Sequence, residues 1–88
     1  MILKILGSKG EQFIYSEISD IETFVRSFED LKRDEHHKLW LIDENSSKKD
    51  YKIIKIFRNN ELDIRLVIDE FCKVYLMNNE GKTIERLD

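Results

Sequence analysis

Residues 51–77, YKIIKIFRNNELDIRLVIDEFCKVYLM, hold three runs in which apolar side chains recur at every second position. A period of two sends successive side chains to opposite faces of a pleated strand, so each run reads as a half-buried β-strand. Asn59-Asn60 separates the first run from the second, and asparagine tolerates the positive φ that a two-residue hairpin turn demands. Asp69-Glu70 separates the second from the third. The stretch predicts an antiparallel meander whose inward face carries Ile54, Ile56, Leu62, Ile64, Leu66, Ile68, Cys72, Val74 and Leu76.

The rest of the chain is placed against that meander. Met1 to Gly7 reads as a strand with Leu3 and Ile5 on one side and Ile2 and Leu6 on the other. Ser8-Lys9-Gly10 has the chemistry of a hairpin loop, and Glu11 to Ile18 reads as the return strand, with Phe13 and Tyr15 sharing a face. The full phosphate-loop pattern G-x-x-x-x-G-K-[ST] is absent around this loop. Ser19-Asp20-Ile21-Glu22 fits a capping box, and Ile21, Phe24, Val25, Phe28 and Leu31 follow at helical spacing. These signals predict one amphipathic helix from Ser19 to about Arg33, with Glu22, Arg26, Glu29, Asp30 and Arg33 on its polar side. Lys38 to Asp43 reads as a strand that is apolar on both sides, and Lys82 to Leu87 as a short extra strand.

The resulting expectation is a single α+β domain over residues 1–88. It has a mostly antiparallel β-sheet in the order β-β-α-β-β-β-β, a short further strand, and one helix packed on one face. A chain of 88 residues buries roughly 60–65% of the surface it exposes when unfolded, which suffices for a core but not for a deep cofactor cavity. No cofactor is expected. The net charge of −3 lacks the basic surplus of a nucleic-acid binder, and the RNA-recognition order β-α-β-β-α-β is not what the elements spell.

Charge is unevenly placed along the chain. Glu17 to Glu35 sums to −4 and Ser46 to Arg58 to +4, so a lopsided molecule is expected. Cys72 stands alone, which excludes an internal disulfide and favours a reducing, cytoplasmic setting. The apolar start MILKIL is too short for a signal peptide or a bilayer span, and no membrane association is expected.

His36 and His37, beside Asp34 and Glu35, form the one cluster with metal or acid–base potential. Adjacent residues point apart on a helix or a strand, whereas a metal needs convergent donors, so neither a metal site nor catalysis is expected. The reverse of the meander collects Trp40, Ile42, Tyr51, Ile53, Phe57, Val67, Tyr75 and Met77 among Lys55, Arg65 and Lys73. Either the sheet curls, or the first hairpin folds over these residues into a second core, or they form a docking face rich in interface-type residues.

In size, acidity and lack of proline the chain is similar to immunity proteins that neutralise bacterial toxins and to phage-encoded inhibitors. The functional expectation is a non-catalytic module that binds and occludes another protein, a toxin or enzyme with a basic surface such as a nuclease. Its candidate contacts are Glu22, Glu29, Asp30, Asp34 and Glu35 on the helix side and Trp40, Phe57 and Tyr75 on the sheet. The alternative is a structural or regulatory subunit that homodimerises through its sheet face or an edge.

Overall fold

Asn59 and Asn60 both adopt the left-handed conformation, with φ of 53° and 63°, and so close a two-residue turn between β5 (Asp50–Arg58) and β6 (Glu61–Ile68). In the computed structural model, which describes residues 1–34 and 37–88, this hairpin is the centre of one of two sheets. The other elements are β1 (Ile2–Leu6), β2 (Gln12–Tyr15), β3 (Asp20–Ser27), α1 (Phe28–Arg33), β4 (Leu39–Leu41), β7 (Lys73–Met77) and β8 (Thr83–Arg86). The first sheet runs β2-β1-β7-β8 and the second β3-β5-β6-β4. All described pairings are antiparallel except β4 with β6. The α+β class with mostly antiparallel strands and one short helix therefore stands.

Three parts of the expected arrangement are corrected. The helix does not begin at Ser19: residues 20–27 form β3, which pairs along its length with β5 from Asp20↔Phe57 to Ser27↔Asp50. Ser19 instead bonds the β5–β6 turn, its Oγ donating to the Phe57 carbonyl and accepting the Asn60 N–H. The helix is a six-residue turn capped by Ser27, whose hydroxyl accepts the Asp30 N–H at 3.2 Å. Second, the meander is broken. After β6 the chain crosses to the other sheet, where β7 lies between β1 and β8.

Asp69 makes that crossing, because its buried carboxylate accepts the N–H groups of Phe71 and Cys72 and, on its other oxygen, that of Asp43. A reversal of direction whose backbone donors are met locally can be buried without penalty. Third, the inward face of the second sheet is covered by the first sheet, not by the helix. Leu3, Ile5 and Val74 pack there against Ile54, Ile56, Leu66 and Ile68 to form the main core. Leu62, expected in that core, is 40% exposed beside a register shift at Ile56/Phe57.

The helix lies on the opposite side of the second sheet. Phe28 and Leu31 pack with Tyr51, Ile53, Val67, Phe24 and Ile42 into a second, smaller cluster. Of the alternatives for the reverse of the meander, a second core is the one that forms over Tyr51, Ile53, Val67 and Ile42, with α1 rather than the first hairpin as its cover. Two apolar layers on one thin sheet explain why β4 and β5 are apolar on both sides.

Candidate protein-binding surfaces

Trp40 sits on the outer face of β4, in register with Val67. Its ring meets Phe28 edge-on at 6.0 Å, and Phe28 in turn meets Tyr51 edge-on at 5.9 Å. The indole is thus braced by the helix yet 41% exposed. Such a ring is held in place before any partner arrives, so little side-chain entropy remains to be lost on contact.

The helix brings its acids to the same side. Glu29 and Asp30 occupy its first turn, where carboxylates favour the positive end of the backbone dipole, and both are exposed. Glu29 has a surface ion pair with Lys32 at 3.6 Å. Asp34, which ends the helix, faces inward: its carboxylate accepts Arg65 at 3.2 Å and lies 3.4 Å from the Lys38 ammonium. These two cations stand over a cavity of about 90 Å³ between helix and sheet, lined also by Phe24, Arg26, Leu31 and Ile53. Glu22 is exposed on the same outer face but at its far margin, opposite Lys55. Glu35 and His36 lie outside the described residues; His37 is exposed.

The remaining sequence-derived candidates separate. Phe57 is half-buried at the end of β5, between Asp20 and Leu62. Tyr75 is on β7, in the other sheet, where it shares an outer face with Ile2, Lys4, Leu6, Ile14 and Met77. Arg86 stacks over its ring at 4.9 Å and is itself clasped by Asp88. That bond to Arg86, more than burial opposes it, holds the Asp88 carboxyl down to about 2. Trp40 and Tyr75 therefore belong to opposite sides of the sandwich rather than to one docking face.

The expected charge asymmetry is also reduced. The acidic segment contains β3 and the basic segment contains β5, and the two strands are hydrogen-bonded neighbours. Their charges sit side by side, with Glu22 across from Lys55, instead of at opposite poles.

Cys72 is buried, and desolvation first, then the hydrogen bond and charge of Asp69, push its thiol up to about 12. A protonated, enclosed thiol is a poor nucleophile. Among the described residues, no group of three His, Cys, Asp or Glu is arranged to hold a metal. No helix among them is long and apolar enough to cross a membrane.

The signal for joining Trp40 to the helix acids was present but indirect. Phe28 and Leu31 are spaced for a helix, and Ser27 stands three residues before Asp30, which places the helical turn later than Ser19 and within reach of β4. Comparison with family models, with curated proteins and with solved structures found no match for this chain.

Proposed function

We propose that this chain is a non-catalytic protein-binding module that acts by covering part of another protein, as an inhibitor or immunity-type protein does. The observation that carries the reading is Trp40, exposed yet braced by Phe28, on the same side of the molecule as the outward carboxylates Glu29 and Asp30. An aromatic anchor beside charged groups is the usual composition of an interface hot spot and its rim. Carboxylates at that rim suit a basic target, such as the active-site surround of a nuclease, and would speed its capture. Asp34 supports the site from within by tying the helix end to Arg65 and Lys38. The lone buried thiol suits a reducing compartment, and we place the protein in the cytoplasm.

The test is comparative capture from extracts of the native host, followed by titration of the captured protein. Trp40→Ala is expected to weaken binding by roughly 30-fold or more, as for a buried aromatic anchor. The pair Glu29→Lys and Asp30→Lys is expected mainly to slow association and to flatten its dependence on salt. A partner held equally by the wild type and by both variants would remove this surface from the proposal.

A further inference from the structure

β3 is an edge strand of eight residues, paired with β5 along one side. The direction of its backbone groups is fixed by three bonds. Phe28 N–H donates to Lys49 O in the same register, so the even residues of this segment address β5 and the odd ones, Ile21, Thr23, Val25 and Ser27, address the free side. The strand's own side chains confirm the parity, since the Asp20 carboxylate takes the Ile21 N–H and Arg26 donates to the Val25 carbonyl. Between those two caps, Thr23 N–H, Thr23 C=O and Val25 N–H face outward at the centre of the edge, and the Val25 side chain is 56% exposed.

The charges of this edge are self-complementary. Glu22 and Arg26 lie on the same outer face, two positions either side of Phe24, and both are exposed. We propose that β3 pairs antiparallel with β3 of a second copy of this chain about a two-fold axis at Phe24. In that register Thr23 faces Val25 of the other copy as a mutually hydrogen-bonded pair, on both sides of the axis. Glu22 faces the other copy's Arg26, also twice. The parity and the charges select the same alignment, because a two-fold at Phe24 is the register that pairs outward-facing odd residues while matching Glu22 to Arg26. Arg26 exchanges the Val25 carbonyl for a carboxylate, and the released carbonyl receives Thr23 N–H. The product is a continuous sheet in the order β4-β6-β5-β3-β3-β5-β6-β4. A two-fold perpendicular to that sheet sets both Trp40 rings on one side of it.

Sedimentation equilibrium across a concentration series tests this, with three variants. Thr23→Pro removes an outward donor but no bond to β5, and proline is tolerated on the open side of an edge strand; it is expected to give a folded monomer. Arg26→Glu sets like charges opposite each other twice and is expected to weaken the dimer by about tenfold. The double variant Glu22→Arg with Arg26→Glu restores opposite charges in the same register and is expected to recover dimerisation relative to Arg26→Glu alone. Circular dichroism on each variant separates loss of pairing from loss of fold. A wild-type chain that stays monomeric at every concentration would overturn the proposal, leaving Asp20 and Arg26 as caps of a blocked edge. So would a dimer indifferent to Arg26→Glu, or an Arg26→Glu defect that the double variant does not relieve.

Discussion

Asp69 joins three parts of the chain through one side chain. Its carboxylate holds the N–H groups of Phe71, Cys72 and Asp43 at 2.9, 3.2 and 2.5 Å while being only 6% exposed. Asp69→Ala leaves those donors unmet in a confined place, and is expected to cost about 3 kcal/mol in urea unfolding, far beyond an ordinary surface change. Close to this crossing, at the start of β7, Asp88 accepts the Val74 N–H and the Nε and Nη2 donors of Arg86. A carboxyl held below its ordinary value of 3.8 binds its proton less readily in the folded state, so its contribution is present above that value. It is lost as the pH falls through about 2. Arg86→Ala is expected to return the Asp88 titration toward the ordinary range by NMR. The difference in melting temperature between this variant and the wild type should then close as the pH is lowered through that window.

At the scale of elements, the sequence was legible wherever a local rule had one outcome. Alternation with Asn59-Asn60 between two runs can hardly be anything but a hairpin, and Gly10 at φ 85° is where the Ser8-Lys9-Gly10 loop needed a glycine. The stretch from Ile21 to Leu31 had two outcomes. Its apolar spacing fits a helix, while Ile21, Thr23, Phe24 and Val25 are β-branched or aromatic and fit a strand. Pairing with β5 decides it, and no local pattern reveals that partner. Alternation in residues 71–77 likewise states which side chains are buried but not in which sheet, since Val74 and Leu76 face the same core from either. The helix start carries the test of this assignment. Ser27→Ala removes the acceptor for Asp30 N–H and is expected to cost about 1 kcal/mol in thermal or urea unfolding.

The site was legible in pieces, and the whole molecule shows why. Trp40 and the acids of α1 were recognisable as interface-type residues, but their meeting depends on α1 folding back over β4 and β5, which only tertiary packing fixes. Tyr75 carried the same chemical signal and went to the opposite outer face because β7 left its expected sheet.

That departure shapes how the molecule is made. β7 is an inner strand of its sheet, and its principal neighbour, β1, comes from the other end of the described chain: Leu3 pairs with Leu76. The β5–β6 hairpin can assemble from local contacts, whereas β1 and β2 leave the ribosome long before the strand that completes their sheet, with Leu3 and Ile5 lacking their main cover. Such distant pairing predicts refolding in roughly milliseconds to seconds rather than microseconds. In stopped-flow experiments, Ile56→Val is expected chiefly to slow folding and Ile5→Val chiefly to speed unfolding. For the nascent chain, the β1–β2 hairpin is the segment that most needs shelter from aggregation during synthesis.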